Sequence, residues 1–95
     1  MRARFLVEDF FCIASRGVFV VHGTIVSGAV QRGQRVRAPF GLDAPVEAVE
    51  FALLSASEGR ENPALAFRYR DADQLTRWQS LGLIGQTLEL EEGGG

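Results

Sequence analysis

The sequence contains no lysine, and all ten of its basic residues are arginine. The phosphate-binding loop of nucleoside triphosphatases requires Gly-Lys-Ser/Thr, because its lysine reaches the phosphates. That loop is therefore excluded. The net charge of −2 disfavours binding of nucleic acid over the whole surface but allows a local arginine patch.

Five arginines could form such a patch if the two short strands that carry them are neighbours: Arg32, Arg35, Arg37, Arg68 and Arg70. The alternative is a charged sheet edge that prevents strand-to-strand aggregation. Asp43 and Glu47 are close enough in sequence to neutralise part of the patch. Both interpretations stay open at this point.

Cysteine and histidine each occur once, as Cys12 and His22. A single cysteine excludes an internal disulfide and a zinc site built from several cysteines. Cys12 lies in a strand pattern, so we expect a small buried hydrophobe. A Cys12–His22 pair across a hairpin is the one conceivable nucleophilic arrangement. We recognise no catalytic constellation, metal ligands or cofactor motif, and we expect a protein that is not an enzyme.

Long apolar runs are absent, so no segment is predicted to cross a bilayer. The basic start at residues 1–4 is followed by a stretch that Glu8 and Asp9 interrupt, which is unlike a secretory signal. We expect a cytoplasmic protein without a membrane partner. The length of 95 residues and 46% hydrophobic content predict one domain over residues 1–95, with a β-barrel at 4–90 and a flexible acidic, glycine-ended tail at 91–95.

Residues 5–28 are the organising segment, because two apolar, β-branched and aromatic runs flank a polar break at residues 14–17. This pattern is typical of two long antiparallel strands joined by a short loop. Gly17 suits a positive backbone φ in that loop, and Gly23 within the second run indicates a bend or a close backbone approach.

Shorter strand patterns follow at residues 35–38, 46–54, 64–70 and 86–90. Leu75 and Trp78 lie three apart behind Asp71 and Asp73, which predicts a short helical turn near 72–80 with one of the aspartates as its cap. We therefore predict an all-β fold, a small closed six-stranded antiparallel β-barrel with one helical turn.

Several of these segments resemble domain two of elongation factor Tu and related translational GTPases. The resemblance lies in residues 7–13, 16–18 and 23–25, in the turn 27–36 with its "x-Gly-x-Val-x-x-Gly-x-x-Val" form, and in the closing residues 85–88. It covers about residues 5–90. The resemblance implies a β-barrel of the translation-factor type that binds and does not hydrolyse nucleotide, since the family's GTPase domain has no counterpart here.

The same resemblance implies RNA or the translation machinery as the partner. Carried over residue by residue, it places an RNA-binding pocket at Phe11, Ile13, Arg16, Glu50 and Asn62. An aromatic and an aliphatic side chain would hold a base, a carboxylate would accept from a ribose hydroxyl, and an arginine would meet phosphate.

Each candidate also has a purely structural interpretation. Phe11 and Ile13 are ordinary core residues in most strands, and Arg16 and Glu50 are ordinary solvated side chains. The alternative function is a protein-interaction module that uses an exposed strand edge or the Phe40 loop. Trp78 is either a plug over one barrel end or, if exposed, a docking anchor.

Overall fold

A computed structural model describes residues 2–39, 41–53 and 61–92, with the side chains of 51–53 and 61–62 outside that description. Six strands carry the fold: β1 Ala3–Ile13, β2 Val18–Gly28, β3 Arg35–Ala38, β4 Val46–Leu53, β5 Glu61–Arg68 and β6 Thr87–Glu91. A 3-10 turn at Ala14–Arg16 joins β1 to β2, and one helix, α1, spans Ala72–Gln79. The predicted strands and the helical turn are confirmed, with ends that differ by up to three residues.

The strands form one antiparallel sheet in the order β3-β6-β1-β2-β5-β4, curled into a half-barrel. The predicted closed barrel is wrong, because this sheet is open. Among the described residues, the two edges of the sheet meet through an isolated bridge between Arg35 and Pro45 and through backbone hydrogen bonds from Gly33 N–H to Val46 and from Val46 N–H to Gln34. β3 has four residues and is followed by Pro39, so it is too short to form a ladder along β4.

A β-bulge in β1 sets which side chains face the core. The register with β2 shifts between Val7 and Asp9, so one extra residue enters β1. Phe5 and Val7 face inward before the shift, and Phe10 packs on the same core after it. Strict alternation along β1 would place Phe11 and Ile13 on the same side as Phe5, and the bulge moves both to the opposite face.

Gly23 makes this bulge possible, as its position in the strand pattern indicated. It lies opposite Val7, and a Cβ atom built on it would lie 1.8 Å from the Leu6 carbonyl oxygen. Gly17 adopts the left-handed conformation, φ 66°, that ends the 3-10 turn. The hairpin therefore depends on one glycine for a close approach and on another for its turn.

The core fills the inner side of the curled sheet and is closed by α1. Trp78 is fully buried, with its ring centroid 5.7 Å from that of Phe19 and 6.3 Å from that of Phe67. This confirms the plug and excludes the exposed docking anchor. Asp71 is the N-cap, since its carboxylate accepts from the Gln74 backbone N–H at 2.9 Å.

A loop carboxylate fastens the helix to the sheet. Asp43 Oδ1 accepts from Trp78 Nε1 at 2.9 Å and from Gln74 Nε2 at 3.2 Å. The Gln74 side chain in turn accepts from the Arg70 backbone N–H at 2.6 Å. Asp43 lies in the loop before β4, and its side chain connects that loop to the helix after β5.

The predicted tail begins inside the sheet, because β6 continues to Glu91. Residues 93–95 and the Phe40 side of the loop lie outside the described residues. Within the described ranges, no helix has the length and apolar character needed to cross a membrane.

Candidate binding face

The sheet has a second apolar side, opposite the Trp78 core, which we call the outer face. Successive side chains of a strand point to opposite sides, so the residues that alternate with the core residues meet there. Register places the following residues on it: Phe11, Ile13, Val18, Val20, His22, Ala48, Glu50, Ala64, Ala66 and Arg68.

A row of apolar residues crosses the middle of this face. Phe11 pairs with Val20, Val20 with Ala66, and Ala66 with Ala48. Val20 and Ala66 are buried, whereas Phe11 is 49% exposed. Because alanine side chains are short, the β5 and β4 part of the row lies lower than the Phe11 ring. The row is a largely buried apolar floor beside one half-exposed aromatic ring.

Arginines gather at one end of the outer face. The Tyr69 backbone N–H donates to the Gly17 carbonyl at 3.1 Å, and Val18 pairs with Arg68. These contacts bring Arg16 to the same end of the sheet as Arg68 and Arg70. We call these three residues the arginine end.

Arg68 and Arg70 each form one weak ion pair. Arg68 Nε lies 3.7 Å from Glu47 Oε1, and Arg70 Nε lies 3.6 Å from Asp71 Oδ2. Both arginine side chains are well exposed, so such ion pairs contribute at most about 1 kcal/mol. Among the residues that the structure describes, no carboxylate oxygen lies within 4.0 Å of the Arg16 guanidinium. These guanidinium groups can therefore turn toward an anion at little energetic cost.

A cleft of about 390 Å³ opens beside this end. Its walls combine apolar side chains with Arg68 at the end of β5 and Arg70 just after it, and it is lined by Ala44, Pro45, Glu47, Arg68, Tyr69 and Arg70. The volume falls in the range of about 300–1,000 Å³ that is usual for ligand sites.

Carboxylates mark the other end of the face. Asp9 pairs with His22, His22 with Ala64, and Ala64 with Glu50. The His22 Nε2 atom lies 4.0 Å from Asp9 Oδ2, and Glu50 is exposed. Four residues along β2 separate His22 from Val18, so the acidic and arginine ends are about 13 Å apart.

The structure brings most of the predicted pocket residues onto one face. Phe11, Ile13 and Glu50 share the outer face, and Arg16 lies at its arginine end. Asn62 on β5 pairs with Ala52 on β4, and the Asn62 side chain lies outside the described part of the chain. Ile13 packs beside Val18, so it supports the floor of the face more than it contacts solvent.

The prediction of a buried Cys12 is wrong. Cys12 is exposed, not buried, because it lies next to the hairpin turn, one residue from the end of β1. It pairs with Phe19, while His22 pairs with Asp9, so the register separates the two residues of the conceivable catalytic pair. The described residues contain no group of three side chains arranged to hold a metal ion.

The condition for a single arginine patch is not met, because β3 and β5 are not neighbours in the sheet. Arg68 and Arg70 belong to the arginine end, and Arg35 bridges to Pro45. Arg37 lines a separate cavity with Arg2 and Arg4, and Arg32 lines a third with Glu92. The arginine end itself was not predicted, although the Arg-Tyr-Arg run at residues 68–70 is a sequence signal for it.

Comparison with protein-family models, with curated proteins and with solved structures returned no match for this chain. Function is therefore inferred from the geometry of the outer face and from the sequence resemblance.

Proposed function

We propose that this chain is a non-enzymatic binding module that holds single-stranded RNA of the translation machinery on its outer face, as the resemblance to domain two of elongation factor Tu implies. The observation that carries the proposal is the half-exposed Phe11 ring on an apolar floor, between the arginine end and Glu50. The proposal concerns the curled open sheet and needs no closed barrel.

Phe11 provides the stacking surface. A base that stacks on an aromatic side chain contributes about 1–3 kcal/mol, with little dependence on base identity. The ring is already presented to solvent, since 49% of its surface is exposed. Val20 and Ala66 are buried beside the ring, so they support it and the exposed ring itself provides the contact surface.

Polar groups on either side of the ring match the rest of a nucleotide. Arg16, Arg68 and Arg70 would donate to phosphate oxygens, and guanidinium groups suit that geometry. Glu50 would accept from a ribose hydroxyl, a group that DNA lacks at the 2′ position. The distance of about 13 Å between the two ends corresponds to a short stretch of nucleotides.

Binding of a fluorescently labelled single-stranded oligoribonucleotide tests this assignment. Phe11→Ala should weaken affinity by about 5- to 150-fold, the equivalent of about 1–3 kcal/mol. Ile84→Ala is the control, because Ile84 is a similarly exposed apolar residue in the loop between α1 and β6 and is not one of the strand residues that form the outer face. Equal affinity of the two variants would contradict the proposal.

Salt dependence provides a second measurement. Arg16→Gln should lower the slope of log affinity against log salt concentration by about one phosphate contact. Arg77→Gln on α1 serves as the control for the loss of one exposed positive charge. The proposal fails if both variants change the slope equally.

A protein partner is the second candidate, and the carboxylates around the face favour it. Glu47 and Asp71 accompany two of the three arginines, so the rim has mixed charge around an apolar centre. Protein interfaces commonly combine an apolar centre with a polar rim. A pull-down from native cell extract, divided into ribonuclease-treated and untreated halves, separates the two functions. One partner retained after ribonuclease, and lost in Phe11→Ala, would favour the protein.

A further inference from the structure

A second cavity, of about 120 Å³, lies at the far end of β1 from the Phe11 site. Its polar lining comes from Arg2, Arg4, Arg37, Ser27, Glu89 and Glu91. Arg4 and Phe11 are seven residues apart on one strand, which is about 20 Å. The cavity is therefore separate from the proposed RNA site.

The sheet assembles this cavity from several elements. Arg4 on β1 pairs with Ser27 on β2 and with Glu89 on β6. Arg37 lies at an irregularity in β3, where the register with β6 shifts between Val36 and Ala38. An irregularity of this kind redirects a side chain out of the regular ladder. The fold thus brings guanidinium groups from the chain start, β1 and β3 to one place.

These arginines are near carboxylates but are not paired with them. In the described ranges, no carboxylate oxygen lies within 4.0 Å of the guanidinium of Arg2, Arg4 or Arg37. Three arginines and two glutamates leave one net positive charge at the cavity. Guanidinium donors that lack a protein acceptor are available for an oxyanion.

We propose that this cavity binds a phosphate monoester of a small hydroxylated molecule, such as a sugar phosphate. The arginines and the Ser27 hydroxyl would donate to the phosphate oxygens, since guanidinium geometry matches them. Glu89 and Glu91 would accept from the neighbouring hydroxyl groups, which gives the two carboxylates a role that a bare anion would not. The volume is below that of sites for drug-sized ligands, roughly 300 Å³ and above, and fits a phosphorylated head group.

The test is a titration of the isotope-labelled protein with glycerol 3-phosphate at constant ionic strength, followed by amide NMR shifts. We expect saturable shifts at Ser27, Arg37 and Glu89. Inorganic phosphate should shift the same amides more weakly, and glycerol should shift none. Shifts that rise linearly without saturation, or that spread over the whole surface, would overturn the proposal.

Variants separate this site from a general charge effect. Arg37→Gln should weaken glycerol 3-phosphate binding at least tenfold, whereas Arg77→Gln should leave it unchanged. Arg4→Lys keeps the charge but removes the planar donor pair, so binding should also weaken. Retained dispersion of the amide spectrum shows that each variant is folded. Unaltered binding in Arg37→Gln would overturn the assignment.

An RNA terminal phosphate has the same chemistry, and a further arm distinguishes it from a free sugar phosphate. A 5′-phosphorylated oligoribonucleotide that binds Phe11→Ala but not Arg37→Gln would identify the RNA end as the source. Binding of glycerol 3-phosphate with no effect of the 5′-phosphate would identify a small molecule. Because Phe11 lies outside this cavity, failure of the RNA proposal would leave the glycerol 3-phosphate result unchanged.

Discussion

Substituting Asp43 by alanine should destabilise the fold through two buried donors. Its carboxylate accepts from the indole N–H of Trp78 at 2.9 Å and from the Gln74 amide at 3.2 Å. Trp78 is 0% exposed and Gln74 is 4% exposed, but Asp43 itself is exposed, so water can take the place of part of its carboxylate. Hydrogen bonds to a charged group contribute about 1.5–3 kcal/mol, and leaving a buried donor unpaired carries a similar cost.

We expect Asp43→Ala to lower the free energy of unfolding by about 2 kcal/mol in total. For a domain of this size, that corresponds to a fall in Tm of about 8–16 °C. Trp78 is the only tryptophan of the chain, so its fluorescence reports unfolding in urea directly. Asp43→Asn is the matched control, because it keeps an acceptor oxygen and should cost about 1 kcal/mol.

A double-mutant cycle isolates the indole contact. Trp78→Phe removes the N–H donor, so Asp43→Ala should cost less in that background. The cycle is followed by circular dichroism, since the fluorescent residue is then lost. Additive effects of the two substitutions, or an Asp43→Ala variant within 0.5 kcal/mol of the parent (about the spread of ordinary surface substitutions), would refute the reasoning.

The Asp43 carboxylate should also make the stability of the fold depend on pH in the acidic range. The hydrogen bond from Trp78, helped by further hydrogen bonds and Arg77, holds the pKa of Asp43 below its ordinary value of 3.8. A depressed folded-state pKa gives stability that is present above the unfolded value and lost as pH falls through the folded value. The pKa of Asp71 is lowered in the same direction, mainly by the Gln74 backbone N–H. Urea unfolding below pH 4 should therefore show a weaker pH dependence in Asp43→Asn, and an unchanged slope would contradict this.

Three further results are expected. Gly23→Ala should lower the free energy of unfolding in urea by about 3 kcal/mol or more, because its Cβ would lie 1.8 Å from a β1 carbonyl oxygen. Gly17→Ala should lower it by about 1–2 kcal/mol, because the new Cβ meets no atom and only the positive φ is unfavourable; similar losses in the two variants would contradict this. Cys12 should react with a thiol reagent in the native protein at the rate of an exposed cysteine, and protection until unfolding would contradict its placement. Phe11→Ala should cost about 1 kcal/mol, against about 3–5 kcal/mol for Phe19→Ala, and equal losses would place Phe11 in the core.

Local sequence patterns were sufficient to predict the strands and the helix. The β-branched and aromatic runs specify β1 and β2, because side-chain alternation and turn glycines act within a few residues. The α1 helix was predictable for the same reason, since Asp71 caps it and Leu75 and Trp78 share its inner side. Phe11 and Arg16 were named as candidate site residues from the family resemblance, whereas Arg68 and Arg70 were considered only as members of a possible arginine patch.

Only the tertiary structure decided how those elements combine. The bulge opposite Gly23 moved Phe11 from an expected core position to the outer face, because one inserted residue reverses strand alternation. The strand order separated β3 from β5, which divided the expected arginine patch into distinct sites, and the short β3 left the sheet open. The Asp43–Trp78 hydrogen bond spans 35 residues, so its energy depends on long-range packing that no local pattern contains.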